Sequence, residues 1–165
     1  MPIDYVRADL DEPRHRIAVR EMIASYALDP QGSGRPLPEQ VLDRLLPGLC
    51  AHPTSLVFLA FDGERPVGVA VCFLGFSTFA ARSLINVHDL AVLPGERRRG
   101  IGRGLLRAVE AHARELECAK ITLEVREQNR TALALYASCG FGDADIGSGA
   151  LRTLFLERRL DVPVA

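Results

Sequence analysis

The four cysteines, Cys50, Cys72, Cys118 and Cys139, form no C-x-x-C pair, and none stands at zinc-finger spacing with a histidine. This excludes the metal-finger and dithiol-redox classes. The expectation is reduced thiols with no structural disulfide and no metal. Long apolar runs are missing as well: nothing approaches the roughly 18 residues of a membrane span. The opening stretch MPIDYVRADLDEPRHR is charged where a signal core would be apolar. A cytoplasmic protein with no membrane partner is therefore expected. There is no excess of basic charge, since 20 Lys and Arg against 21 Asp and Glu leave a net charge of −1. That argues against a general nucleic-acid binder. Repeats and low-complexity segments are also absent.

What is present is ordinary globular material. A chain of 165 residues, 48% hydrophobic and 25% charged, is expected to form one domain over 1–165 with a sizeable core. Residues 3–8 are β-prone. Asp11 is placed to cap a helix through about Tyr26, with Pro13 in its first turn and Ile17, Val19, Met22 and Ile23 on its apolar face. Residues 29–38, DPQGSGRPLP, are a loop. A second helix over 38–46 carries Val41, Leu42, Leu45 and Leu46, and Pro47 and Gly48 are expected to end it.

Residues 54–61 and 66–74 read as a hairpin around Asp62-Gly63. The near-continuous apolar character of the second strand predicts a central position, covered on both faces. Residues 75–83 are read as a connection and 84–93 as the next strand. A helix after the glycines shows Leu105, Leu106, Val109, Ala113 and Leu116 at helical spacing. Residues 120–125 alternate as a strand. Asn129 caps a helix to about Ser138, and Gly140 fits a left-handed C-terminal cap. A last strand is expected over 151–160, with a weaker signal for another in 141–150. Hairpins followed by one crossover predict an α/β fold of the α+β kind: a mixed, mostly antiparallel central sheet flanked by helices.

The chain is organised around residues 86–106, NVHDLAVLPGERRRGIGRGLL, a strand that runs through a turn, three arginines and glycines into a helix. A helix N-terminus offers unpaired N–H groups and a favourable dipole to an anion, here read as a pyrophosphate. A triphosphate loop needs Lys-Ser or Lys-Thr after the glycines, and neither is present. A dinucleotide fingerprint needs G-x-G-x-x-G within repeated βαβ units. The glycines here stand at 100, 102 and 104, and the upstream hairpins are incompatible with that fold.

Arg97-Arg98-Arg99-Gly100-Ile101-Gly102 matches the [QR]-x-x-G-x-[GA] element of the GNAT superfamily of N-acetyltransferases. Asn129 to Tyr136 (NRTALALY), followed by Cys139-Gly140-Phe141, resembles that family's second signature, and the order of elements over nearly the whole chain is similar too. The resemblance implies the acyl-CoA N-acyltransferase fold and acetyl-CoA as donor. It implies that backbone N–H groups of Arg98, Arg99, Gly100, Ile101, Gly102 and Arg103 bind the pyrophosphate, with Arg97, Arg98 and Arg99 as phosphate contacts. Pantetheine would lie along Leu90, Ala91 and Val92, where this strand splays from the one at 120–125. Asn129 would help hold the arm, and Tyr136 would point at the sulfur.

Acetyl transfer to an amine by direct attack in a ternary complex needs a neutral nucleophile, yet an aliphatic ammonium titrates near about 10.4. The departing thiolate needs a proton, and Tyr136 matches the family position for that acid. His88 is the first candidate base. It takes the place of the glutamate in the Glu-Asp pair of polyamine-acetylating relatives, and an imidazole suits base work. Asp89 is expected on the opposite strand face by alternation, in a structural role. Glu124, on the strand across the gap, is the second candidate base. Cys139 is expected to be an unreactive, buried thiol.

The acceptor is expected between residues 20–38 and 73–83. The second segment carries Phe73, Phe76 and Phe79 and no acid, which disfavours a polyamine. A small amine or amino-acid derivative is the first expectation, and a protein N-terminus or lysine the second. A non-catalytic acetyl-CoA-binding module stays open, as does a homodimer. A phosphate-binding interaction domain is disfavoured by the net charge.

Overall fold

The structure is a computed structural model and describes residues 2–142. The elements run β1 (Ile3–Arg7), α1 (Pro13–Leu28), α2 (Glu39–Ala51), β2 (Ser55–Asp62), β3 (Arg65–Ser77), β4 (Arg82–Val92), a 3-10 turn at Pro94–Glu96, α3 (Ile101–Glu115), β5 (Lys120–Leu123) and α4 (Arg130–Ser138). The strands lie in the order β1-β2-β3-β4-β5. The first four are antiparallel, and β5 joins β4 in parallel. Helix α3 supplies the crossover that a parallel pair requires. The expected final strand at 151–160, and all but the first two residues of the 141–150 connection, fall outside the described residues. Among the described residues no helix is long and apolar enough to cross a membrane.

The sheet is covered on both faces, as the unbroken apolar run of β3 predicts. On one face α3 packs Ile101, Leu105, Leu106, Val109 and Ala113 against Phe58, Ala70, Cys72, Ile85 and Val87, with parts of α4 alongside. On the other, α1 and α2 pack Val19, Met22, Leu46 and Leu49 against Val57, Leu59, Val69, Val71 and Ala91.

Several local expectations give way to packing. Asp11 does not cap α1. Pro13 takes the first helical position, where its fixed φ is preorganised, so Glu12 becomes the N-cap and makes no side-chain cap bond. Asp9 instead turns the chain, accepting the Asp11 N–H at 2.9 Å. Ile17 leaves the apolar face and is 59% exposed, while Ala18, Val19 and Met22 are buried. Helix α2 does not stop at Pro47 but runs through it to Ala51. Leu42, Leu46 and Leu49 form one buried stripe, and burial of Leu49 on the sheet offsets the bond that Pro47 cannot make. The hairpin is also longer than expected. β3 continues to Ser77, leaving residues 78–81 as the connection; Phe76, near the end of β3, and Phe79, in the connection, are both exposed. Leu116, expected on the apolar stripe of α3, is instead its exposed C-cap.

Candidate functional site

β5 accompanies β4 only as far as the pair Val87–Leu123. β4 continues to Val92 with β3 on one side and, among the described residues, no strand on the other. The result is an open seam along His88, Asp89, Leu90, Ala91 and Val92. It corresponds to the splay that the resemblance implied.

The seam starts at an irregularity in the ladder. Val71 pairs with Asp89 but Cys72 pairs with Val87, so His88 is an extra residue in β4. Such a bulge breaks the alternation of side chains. Asp89 and Ala91 oppose Val71 and Val69 on the α1/α2 face, and Leu90 and Val92 oppose Ala70 and Gly68 on the α3 face. The His88 ring meets the Phe73 ring edge-on at 5.7 Å, and Phe73 packs on the α1/α2 face. His88 and Asp89 therefore share a face, and the expectation that they lie on opposite faces is corrected. His52 also meets the Phe73 ring edge-on, at 5.0 Å. Phe76 and Phe79 take no part in this cluster.

The electrostatics of this face follow from burial. Desolvation raises the Asp89 carboxyl above the ordinary carboxylate value, opposed by the neighbouring His88. Tyr26, in the last turn of α1, is raised first by burial and then by the Asp89 charge, against the opposing charge of Arg126. Glu124 lies just past β5, and the Asn86 amide Nδ2 donates to it at 3.4 Å and to Thr122 Oγ1 at 3.2 Å. Asn86 pairs with Phe73 and so points to the α1/α2 face. The residues His88, Asp89, Tyr26, Phe73, Asn86 and Glu124 thus come from one side of the sheet.

Tyr136 comes from the other side. It sits in α4, packs against the α3-face core and meets the Phe141 ring at 5.9 Å. Burial, followed by the Tyr26 charge, pushes its phenol up to about 12. Tyr136 and Tyr26 approach from opposite faces and sense one another where β4 and β5 part. Tyr136 holds its proton at neutral pH and can donate it. The cap of α4 forms as expected: Asn129 Oδ1 accepts the Ala132 N–H at 3.1 Å, which leaves its Nδ2 for a ligand. Gly140 is left-handed at φ 84° and follows the C-cap Cys139.

The glycine loop delivers N–H groups to the same edge. Gly100, at φ 80°, is the N-cap of α3, and Arg98 is also left-handed at φ 67°. The first helical amide bond runs from Gly104 to the Gly100 carbonyl at 3.0 Å. The N–H groups of Ile101, Gly102 and Arg103 therefore have no intrahelical acceptor. Consecutive free amides around left-handed residues make an anion-binding concavity. The three glycines serve different ends. Gly100 supplies the backbone angle. A Cβ at Gly102 would press Leu135 of α4 at 3.0 Å, and one at Gly104 would fall 2.0 Å from the Tyr5 ring.

The arginines divide in a way the sequence did not reveal. Arg97 pairs with Asp29 and donates through Nε to the Val92 carbonyl at 3.3 Å. Arg99 pairs with Glu96 and with Asp62, the latter at 3.0 Å, and Arg65 holds Glu96 at 2.7 Å. Arg103 donates to Ser138 Oγ at 2.9 Å. Arg98 makes no ion pair among the described residues. Two of the three arginines expected at phosphate thus already brace the loop with protein carboxylates. Tyr26 and Asp29 are the residues that sequence reasoning missed. Their importance arises from where α1 ends, and no local pattern announces it.

No group of three or more His, Cys, Asp and Glu side chains among the described residues is arranged to hold a metal ion. Cys72 is buried, and desolvation pushes its thiol up to about 12. Cys139 is half-buried rather than fully buried.

Residues 19–141 match the profile of the Acetyltransferase (GNAT) family. The chain is 33% identical over 79 residues to thialysine N-epsilon-acetyltransferase of Caenorhabditis elegans, covering 48% of this chain and 49% of that protein. It is 33% identical over 94 residues to [ribosomal protein bS18]-alanine N-acetyltransferase of Escherichia coli K12, covering 54% of this chain and 64% of that protein. The chain thus spans about half to two thirds of the length of these relatives. A crystal structure of a probable acetyltransferase superposes with a TM-score of 0.75 at 18% identity, covering 95% of this chain and all of the other. At that identity the likeness concerns the fold.

Proposed function

The chain belongs to the GNAT acetyltransferase family, and on that premise we propose that it transfers the acetyl group of acetyl-CoA to a primary amine by direct attack in a ternary complex. The observation that carries the reading is the seam between β4 and β5. It has a protonated phenol on the α4 side and an imidazole beside a half-buried carboxyl on the α1 side.

In this reading the amides of the α3 N-terminus and the Arg98 side chain receive the pyrophosphate, and the seam along Leu90 to Val92 takes the pantetheine arm. Asn129 Nδ2 assists. Arg97 and Arg99 act by bracing the loop. Acetyl-CoA supplies an activated thioester. His88 takes the proton of the incoming amine, directly or through water, and Tyr136 returns a proton to the departing sulfur. Asp89, beside His88, favours the imidazolium as it forms. Glu124 is the competing base, on the same face and, like His88, solvent-exposed.

The acceptor face carries the carboxylates Asp89 and Glu124, which suits an amine that arrives as a cation. A small amine or amino-acid derivative remains the first reading. The relative named for acetylating an alanine of a ribosomal protein favours a second, the α-amine of a peptide.

Acetyl-CoA at 100 times its Kd should stabilise the fold by about 2.7 kcal/mol, visible as a rise in Tm, and no rise would sink the reading. A thiol-release screen of free amines against short peptides separates the two acceptor classes. With the best acceptor, His88→Gln should lower kcat about 100-fold. If Glu124→Gln does so instead, the base is Glu124.

A further inference from the structure

Arg97 stands where the loop toward α3 begins, yet its guanidinium reaches back 68 residues to Asp29. The Asp29 side chain is 8% exposed. The same arginine holds the Val92 carbonyl at the end of β4 through Nε. One side chain thus joins the donor loop, the end of the seam strand and the segment that leaves α1.

That segment is a compact knot centred on Asp29. The Asp29 N–H bonds the Tyr26 carbonyl at 3.0 Å, and its Oδ1 accepts the Gln31 N–H at 2.8 Å. Its carbonyl accepts from Gly32 at 2.9 Å and Gly34 at 3.1 Å, and Arg35 N–H returns to Ala27 at 3.2 Å. A Cβ at Gly32 would lie 2.3 Å from the Tyr26 carbonyl oxygen. The knot therefore packs on the backbone of Tyr26, whose phenol senses Asp89 and Tyr136. Apart from Arg97, no ion pair links the knot to the donor loop among the described residues.

We infer that Asp29 and Arg97 are positioning residues through which an occupied donor loop firms residues 29–35, and with them Tyr26 on the acceptor face. This rests on the donor site proposed above. The side that binds acetyl-CoA and the side that receives the amine are then energetically coupled, and the coupling is reciprocal.

The test is hydrogen–deuterium exchange on the full chain with acetyl-CoA as the probe. In the unaltered protein, acetyl-CoA should slow exchange at residues 98–104 and, by about fivefold or more, at Gln31, Gly32, Gly34 and Arg35. In Asp29→Asn, which is isosteric, residues 98–104 should still respond and the knot should not. Arg97→Gln should reproduce that loss, and Arg97→Lys, which keeps a cation opposite Asp29, should restore part of the response. The inference is overturned if the knot ignores acetyl-CoA in the unaltered protein, or if Asp29→Asn responds as the unaltered protein does. If residues 98–104 themselves gain no protection, the donor reading has failed, and the inference falls with it.

Discussion

Asp29 and Asp89 illustrate two ways of using a carboxylate in one small fold. Asp29, on the donor-loop side, is held below the ordinary value of 3.8 chiefly by its hydrogen bond to Arg97. Asp89, on the acceptor face, is raised above 3.8 by burial and has only a neighbouring His88 to favour its charge. The contrast extends to their surroundings. Around the donor loop, Asp29, Asp62 and Glu96 each meet an arginine. On the α1/α2 face Asp89 and Tyr26, and from the α4 side Tyr136, make no side-chain hydrogen bond among the described residues. The donor side is braced within itself before any ligand arrives. The acceptor side keeps polar groups uncommitted, at a cost in stability, which is the usual condition of groups that handle protons.

The sharpest way to separate the two sides is Tyr136→Phe. Turnover should fall at least about 100-fold, while acetyl-CoA affinity, measured by calorimetry, stays within about twofold. A parallel loss of donor affinity would mean that the two sides are not separable at this residue.

Gly104→Ala probes the donor side for packing alone. The new methyl meets the Tyr5 ring, and overpacking of this kind costs about 1–3 kcal/mol. Tm should drop with donor affinity preserved in the folded fraction, and the double change with Tyr5→Ala should recover part of the loss. A Gly104→Ala protein of unchanged Tm that no longer binds acetyl-CoA would assign this glycine to the ligand instead.

The smallest effect concerns pH. A carboxyl whose folded pKa is raised binds more protons when folded, so its contribution to stability declines as pH climbs from 3.8 through the folded value. Asp89→Asn should raise Tm above that window and leave it unchanged well below 3.8. Asp29 has the opposite sign: its contribution is present above 3.8 and is lost as pH falls through its depressed pKa. Asp29→Asn should therefore lower Tm at neutral pH and lose its effect in acid. If both variants shift Tm in the same direction at neutral pH, the contrast between the two aspartates is wrong.

Much of the architecture was legible because it obeys local rules. Asn129 as a cap, Gly140 as a left-handed stop, the apolar stripe of α3 and the central apolar run of β3 each express a preference that tertiary structure does not contradict. What was illegible came from packing and register. α2 passes through Pro47 because Leu49 has a place on the sheet. The facing of Asp89 depends on one unpaired residue in β4, which a two-residue period cannot reveal. The roles of Arg97 and Arg99 were hidden because their carboxylates come from distant segments. The motif marks where the unpaired amides of the α3 N-terminus begin, but not which arginine side chains are spoken for.

The extra residue at His88 also changes how closely chemistry can be packed along a strand. Groups on one face of a regular strand are spaced two residues apart, about 6.6 Å at the usual rise. Consecutive residues have Cα atoms about 3.8 Å apart. By turning His88 and Asp89 to the same side, the bulge sets an imidazole and a carboxylate at nearly twice the density that an unbroken ladder permits. One stretch of backbone thereby presents both groups to the α1/α2 face, where the His88 charge opposes the effect of burial on the Asp89 carboxyl.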